Sequence, residues 1–200
     1  MQLLTQTPPT DYTAYFDHET AAETRSQYIN GAIIPMAGGT LTHNTIITNL
    51  LVLIYMALRD LPYHVFVTDQ RLWIPDRQML TYPDILVTPE PPQLMEGRND
   101  TVTNPILIAE VLSESTEAHD RGEKFAAYRT IPTLQTYLLI SQTAITIEGF
   151  HKEGDRWIFQ DYPPEGAITL PDLSLELAIA DIYRRVDFGS QMFQADTAQP

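Results

Sequence analysis

The chain contains no cysteine, which excludes disulfides and thiolate metal centres and agrees with a reducing compartment without requiring one. Lysine is nearly missing too: Lys124 and Lys152 are the only two in 200 residues. Lysine and arginine together number 12 against 26 acids, a formal net charge of −14. A protein that grips nucleic acid with its whole surface is basic. This one repels a polyanion at long range, so any nucleic-acid function must rest on a local patch, a metal ion or a partner. No apolar segment reaches the ~20 residues of a membrane span. The most apolar expected helix, Ile46 to Leu58, is shorter and is interrupted by Thr48 and Asn49. Met1 to Thr10 has neither the basic segment nor the apolar core of a signal peptide. The expected setting is the cytoplasm, with no membrane contact. A phosphate-cradling glycine loop, a serine nucleophile elbow and an HExxH pair are all missing.

What is present is a well-mixed globular chain, 44% hydrophobic, of a length that suits one cored domain over 1–200. The ends, 1–9 and 188–200, read as loose tails. Thr10 or Asp11 caps a short helix to about Thr20. Asn30-Gly31 between apolar runs is a hairpin signal. Thr40 or Thr42 caps a helix to about Asp60, with His43, Ile47, Leu50, Ile54 and Leu58 as its core-facing stripe. Tyr63 to Pro75 reads as extended chain, bent near Asp69-Gln70, and Leu80 to Thr88 as one strand. Pro89 to Asn104 is a long loop, of the kind that is functional or mobile. Ala144 to Lys152 and Trp157 to Asp161 flank a hairpin turn at Glu153-Gly154-Asp155. Leu173 to Ala178 adds a short extended segment, and Ala180 to Val186 a last helical turn.

The stretch from Pro105 to Ile140 organises the rest. Pro105 to Ser113 is a continuous apolar run with branched residues, the pattern of a strand buried on both faces. Glu110 sits inside it. An unpaired carboxylate there costs several kcal/mol or shifts its pKa, so it needs a metal, a cation or donors. Thr116, Asp120, Lys124 and Tyr128 recur every four residues and line one face of the following helix. Thr136 to Ile140 closes a strand–helix–strand crossover. Asp84 is a second acid in an extended apolar segment. If the two strands pair as an antiparallel ribbon, both carboxylates point at one spot. Two hard oxygen ligands with room for water suit Mg²⁺ or Mn²⁺, and a nearby lysine stabilises charge on a phosphoryl group. The competing structural reading is that Asp84 ends a strand and Glu110 pairs with Lys124 or an arginine. From spacing alone the two readings stand level. His43 reads first as a satisfied core histidine and second as a site neighbour. Asp120 reads as a partner of Lys124 before a ligand, and Tyr128 as packing. His119, Arg121 and Arg129 form a basic rim diluted by Glu117 and Glu123.

These segments together resemble the Uma2 (DUF820) family, abundant in cyanobacteria and placed in the PD-(D/E)XK nuclease superfamily. The resemblance covers nearly the whole chain. Tyr28-Ile-Asn-Gly31, Met36-Ala-Gly-Gly39 with His43-Asn44, Tyr82-Pro-Asp84 and Glu110-Val-Leu-Ser113 carry it. Asp120-Arg-Gly-Glu-Lys124 with Tyr128, and Leu134-Gln-Thr-Tyr137, complete it. The superfamily pattern places an Asp on one strand and Asp/Glu-x-Lys on the next. Asp84 and Glu110 match the acids, but Leu112 stands at the lysine position. The resemblance implies that the lysine has moved to the following helix, as Lys124. Gln27 stands where relatives commonly carry Glu, and it offers a carbonyl oxygen without charge.

The implied fold is a mixed α/β (α+β) domain of restriction-endonuclease type, a central mixed sheet flanked by helices. The implied activity is a Mg²⁺- or Mn²⁺-dependent DNA endonuclease. Asp84, Glu110 and the Val111 carbonyl would hold the metal, Lys124 would position or activate water, and Gln27, His43 and Asp120 would support them. DNA is the expected partner through a local site, and a homodimer is a further expectation. Gln27 and the net charge favour an alternative, a catalytically weakened member that binds or assembles. A metal-dependent hydrolase of another substrate is a third class, because fold does not fix substrate.

Overall fold

The computed structural model describes residues 12–36 and 38–188. The expected tail at 1–9, that at 188–200 except for Phe188, and the caps Thr10 and Asp11 lie outside these residues; Phe188 itself packs against Tyr183. Helix α1 (Thr13–Ala21) leads into a hairpin of β1 (Ser26–Ile29) and β2 (Ala32–Pro35). Its turn is Asn30-Gly31, with φ of 48° and 88°, the left-handed pair that a two-residue hairpin turn requires. Helix α2 (Leu41–Leu58) is capped by the Thr40 hydroxyl, which accepts a hydrogen bond from the His43 N–H at 3.0 Å. It runs unbroken through Thr48 and Asn49 for 18 residues, close to the helix from Thr40 or Thr42 to about Asp60 that the sequence indicates. By length and composition it is apolar enough to cross a membrane, but its inner stripe of Ile46, Ile47, Leu50, Ile54 and Leu58 is buried in the protein core.

Next come β3 (Tyr63–Val67), β4 (Arg71–Ile74), β5 (Met79–Thr81), β6 (Ile85–Pro89) and β7 (Thr101–Val102). The stretch from Tyr63 to Pro75 breaks at the expected bend near Asp69-Gln70, and that from Leu80 to Thr88, expected as one strand, is also broken; the halves of each belong to different sheets. Thr68, at φ 46°, turns the chain between β3 and β4. Pro83 lacks the N–H that a continuing ladder needs, so Tyr82-Pro83-Asp84 is a connection and Asp84 lies just before a strand instead of inside one. The long loop is not structureless either, since β7 pairs parallel to β4 within it.

The second half holds β8 (Leu107–Leu112), a crossover helix, β9 (Thr136–Ser141), β10 (Ile147–Glu153) and β11 (Arg156–Tyr162), followed by β12 (Ala167–Leu170) and β13 (Leu175–Ala178). The crossover helix comprises α3 (Glu117–His119), a π-helical turn over Asp120–Lys124, and α4 (Phe125–Tyr128). α5 (Ile179–Ile182) ends the described elements.

Strands β11-β10-β9-β8-β6-β3 form a six-stranded mixed sheet, antiparallel except for the β8–β9 pair. Strands β2-β1-β5-β4-β7 form a second sheet that sequence reading did not separate from the first. The period of two along β8 sorts its side chains. Leu107, Ala109 and Val111 join the core made with α2, whereas Ile108 and Leu112 join the core made with the crossover helix and the second sheet. Glu110 has the parity of the second group. It therefore faces the crossover helix and the gap between the two sheets.

Candidate active site

The register explains why two acids meet. Strand β6 pairs with β8 as Ile85↔Ala109, Leu86↔Ile108 and Val87↔Leu107. One step further, where β6 has ended, Asp84 falls opposite Glu110. The Asp84 carboxylate takes over the edge that the ladder leaves, and its Oδ2 accepts a hydrogen bond from the Val111 N–H at 2.8 Å. A strand residue points its N–H and C=O to the same edge. The Val111 carbonyl thus lies on the side where β6 no longer offers a donor.

Glu110 is 3% exposed. Its Oε1 accepts hydrogen bonds from Lys124 Nζ at 3.0 Å and from the Tyr128 hydroxyl at 2.7 Å. Its Oε2 has only a long contact of 3.4 Å from the Asp84 N–H. Lys124 also lies 3.0 Å from Asp120 Oδ1, an ion-pair contact without hydrogen-bond alignment. Burial raises the Glu110 pKa; Lys124 pulls it back, Asp120 and Asp84 add to the rise, and the net is above the usual carboxylate range. Burial by itself lowers the Lys124 pKa, but Glu110 and Asp120 outweigh it and hold the amine as an ammonium.

The helix widens to a π turn between Asp120 and Lys124, a feature common at functional sites. The spacing of four still places Asp120, Lys124 and Tyr128 inward, all buried. Reading Tyr128 as packing alone is corrected, because its hydroxyl holds Glu110. Its place on the same stripe as Asp120 and Lys124 was the available signal. Tyr137 supports the turn from below by donating to the Asp120 carbonyl at 3.1 Å.

His43 is not a core residue. It sits in the first turn of α2, one turn before the buried stripe begins at Ile46. Its Nε2 is 3.3 Å from Asp84 Oδ2. Burial lowers its pKa, but Asp84, with Asn44 and Glu110, more than reverses this, so the net is raised. Gly39 packs against the ring so closely that a Cβ there would lie 2.6 Å from His43 Nδ1. Gln27, on β1, accepts a hydrogen bond from the Thr81 hydroxyl at 2.9 Å. Gln142 bridges the site's wall, accepting from the Thr40 hydroxyl at 2.6 Å and donating to the Leu112 carbonyl at 2.8 Å. Nothing in the local sequence marked Gln142.

A cavity of about 910 Å³ opens between the two sheets, and Asp84, Glu110, Val111, Lys124, Asp120, His43 and Gln27 all line it. Four buried side-chain atoms lack a hydrogen-bond partner among the described residues, and three of them, on His43, His119 and Asp120, belong to residues that line this cavity. Unmet polar capacity of that kind points to a site that takes water, an ion or a ligand. Glu110 and Asp120 share the one ammonium of Lys124, and the Asp84 carboxylate lies against His43, so acids outnumber lysines along the cavity wall. No group of three or more His, Cys, Asp or Glu side chains is placed to hold a metal ion among the described residues. Two carboxylates and one carbonyl remain. These are hard oxygen donors, the type of group that Mg²⁺ takes alongside several waters.

A second polar cluster lies behind Tyr82. Arg71, 7% exposed, donates to the Tyr82 hydroxyl at 2.9 Å and to Asp100 Oδ2 at 2.9 Å. Glu19 accepts from the Tyr82 hydroxyl at 2.6 Å and lies 3.5 Å from Arg71. The cluster pins α1 to the second sheet, close to the connection that bears Asp84. The expected basic rim does not stand free, because Arg121 pairs with Glu117 and Glu148.

This fold and this chain have counterparts among known proteins. The solved structure of "a putative nuclease belonging to DUF820" from Anabaena variabilis ATCC 29413 superposes with a TM-score of 0.68. It is 19% identical, with 81% of this chain and 91% of that one covered, which confirms the restriction-endonuclease-like fold class expected from sequence. Two proteins of Synechocystis sp. (strain ATCC 27184 / PCC 6803 / Kazusa) are similar in sequence. "Uncharacterized protein sll1609" is 43% identical over 154 residues, covering 76% of this chain and 87% of that protein. "Uncharacterized protein slr1290" is 35% identical over 177 residues, covering 87% and 91%. The family model Uma2, described as "Putative restriction endonuclease", matches residues 12–181, and the chain belongs to the Uma2 family.

Proposed function

We propose that the protein is a Mg²⁺- or Mn²⁺-dependent endonuclease that hydrolyses phosphodiester bonds in DNA. The observation that carries this reading is the pairing of Asp84 and Glu110 at the wall of one cavity, with the Lys124 ammonium 3.0 Å from Glu110. The family description and the description of the Anabaena variabilis protein support the nuclease part of this reading. Asp84, Glu110 and the Val111 carbonyl would hold the cation, which when bound supplies positive charge against the phosphoryl oxygens.

The chain's own residues do the rest. Lys124, kept charged between Glu110 and Asp120, presents N–H donors and a fixed positive charge at the cavity wall. Tyr128 and the Val111 N–H hold Glu110 and Asp84 in place, so little reorganisation is needed when charge develops on the phosphate. Thr81 fixes Gln27 at the cavity wall.

One observation favours the second reading, a member retained for binding. Glu110 Oε1 is already occupied by Lys124 and Tyr128, and Gln27 brings no charge, so the acidic end of the site is weaker than three carboxylates would make it. Plasmid nicking separates the two readings. Cleavage is expected with Mg²⁺ or Mn²⁺, abolished by chelation and absent from Glu110→Ala. No nicking by the wild type with either ion, or equal nicking by the mutant, would reject the endonuclease.

A further inference from the structure

Helix α2 is apolar on both sides. Opposite its buried stripe, Leu41, Thr45, Thr48, Val52, Tyr55 and Met56 fall within one arc at helical spacing. Leu41 is 85% exposed, and Val52, Tyr55 and Met56 are 53%, 55% and 54% exposed. No Asp, Glu, Lys or Arg occurs from Leu41 to Leu58, in a chain that is 19% charged. A helix hydrophobic all round is ordinarily enclosed all round, and a contiguous exposed apolar patch marks an association surface. The two threonine hydroxyls on this face are already satisfied, and the Tyr55 hydroxyl sits on a side chain that is 55% exposed. Thr45 donates to the Leu41 carbonyl at 2.8 Å and Thr48 to the Asn44 carbonyl at 2.7 Å. Covering the face therefore leaves neither threonine hydroxyl without a partner.

We propose that this face is a homodimer interface, in which α2 of one copy packs on α2 of a second about a two-fold axis. Charge selects the occupant. Each copy carries a formal −14, so most of its surface repels a second copy. The outer face of α2 lets two copies meet without opposing like charges. A two-fold contact uses the same patch on both partners, so it needs a patch that matches itself, and an uncharged apolar helix face does. A bilayer is a poorer match, because anionic headgroups repel an acidic protein and the inner stripe cannot leave the core.

An 18-residue helix is about 27 Å long and about 10 Å across. Contact along such a face does not exceed the lower end of specific interfaces, about 1,200 Å² in total, so the dimer is reversible and dilutes apart. None of the six face residues lines the cavity, and the inference is independent of the nuclease reading.

Sedimentation velocity on the full chain, from micromolar to hundreds of micromolar, tests it. The mass is expected to rise from the 22.7 kDa monomer toward twice that value. Val52→Glu and, separately, Met56→Lys should hold it at the monomer with unchanged circular dichroism. Because the chain has no cysteine, Val52→Cys gives one thiol per copy, and a bis-maleimide is expected to join two copies covalently. That keeps the test decisive should the charged variants misfold. A wild type that stays monomeric overturns the proposal. So does a dimer that both charged variants leave intact, or a monomer that floats with phosphatidylcholine vesicles, which assigns the face to lipid.

Discussion

Asp84 accepts the Val111 N–H at 2.8 Å while its own N–H reaches toward Glu110 Oε2 at 3.4 Å. The connection before β6 and the strand β8 are thus laced by a side chain where the backbone ladder has stopped. One carboxylate completes the sheet edge and also lines the cavity. Asp84→Asn keeps an oxygen acceptor for Val111 but removes the charge. Its expected melting temperature without metal is close to wild type, and the rise with Mg²⁺ is expected to vanish, since a ligand that binds only the folded state stabilises it by mass action. An undiminished Mg²⁺ response in this variant would place the cation elsewhere.

Gln27 tests the same site from the other sheet. It lines the cavity and carries no charge. Gln27→Glu adds a carboxylate to the cavity that Asp84 and Glu110 line. The midpoint of thermal stabilisation is expected to move to lower Mg²⁺ concentration, and nicking to speed up. An identical titration in both proteins would make Gln27 a structural partner of Thr81 only.

How much of this was readable beforehand depends on the physical range of each signal. The β8 run, the Asn30-Gly31 turn and the Asp120–Lys124–Tyr128 stripe are local patterns, and they appear where periodicity puts them. The antiparallel pairing that sets Asp84 opposite Glu110 was inferred from the shared oddity of two acids in apolar segments. The second sheet was not legible. Leu80 to Thr88 has the composition of one strand, and only Pro83 hints that β5 and β6 part company there. Helical spacing counts His43 into the core stripe first, whereas it lies beside Asp84 at the cavity, its second reading and the place that the family resemblance implies. Gln142 and Arg71 act through partners tens of residues distant, which no local pattern encodes.

Tyr128→Phe removes one donor from a buried carboxylate and leaves its shape otherwise filled. A buried acceptor deprived of a partner costs about 1–3 kcal/mol. Urea unfolding is expected to show that loss of free energy as a lower midpoint with an unchanged slope, the midpoint shift being the loss divided by the slope. A loss near zero would mean that Lys124 alone satisfies Glu110.

The Arg71 cluster gives a pH signature remote from the proposed metal. Burial raises the Asp100 carboxyl, but hydrogen bonds from Arg98 and Thr101 and the charges of Arg71 and Arg98 hold it down at about 2. A carboxylate depressed in the folded state contributes stability above its unfolded pKa and loses it as pH falls through the folded value. The stability difference between wild type and Asp100→Asn is therefore expected to be constant above about pH 5 and to shrink as pH drops from about 4 toward 2. Asp100 is 45% exposed on its side chain, so solvent screening keeps the difference small. A difference that stays constant down to pH 3 would show that Asp100 titrates alike in both states.

Lys124 is the sharpest test of the proposed chemistry. The residue two places after Glu110 is Leu112, which carries neither charge nor donor, and the other lysine, Lys152, lies on β10 and donates to the Pro132 carbonyl at 3.1 Å. Lys124 is the lysine that touches Glu110, at 3.0 Å. Removing an aimed electrostatic group costs on the order of 10²–10³ in rate, and Lys124→Ala is expected to lose that much in single-turnover cleavage at saturating Mg²⁺. It also strips Glu110 and Asp120 of their shared cation, and breaking a buried pair costs about 3–5 kcal/mol. Folding must therefore be checked by circular dichroism at the assay temperature. Lys124→Arg restores a charge, but its planar guanidinium does not fit the space between two carboxylates that a compact ammonium fills, so stability is expected to recover more than rate. Rate and stability falling apart in this way distinguish a group that acts on the substrate from one that only balances charge. A folded Lys124→Ala protein that cleaves at the wild-type rate would reduce Lys124 to a counter-ion of Glu110 and Asp120.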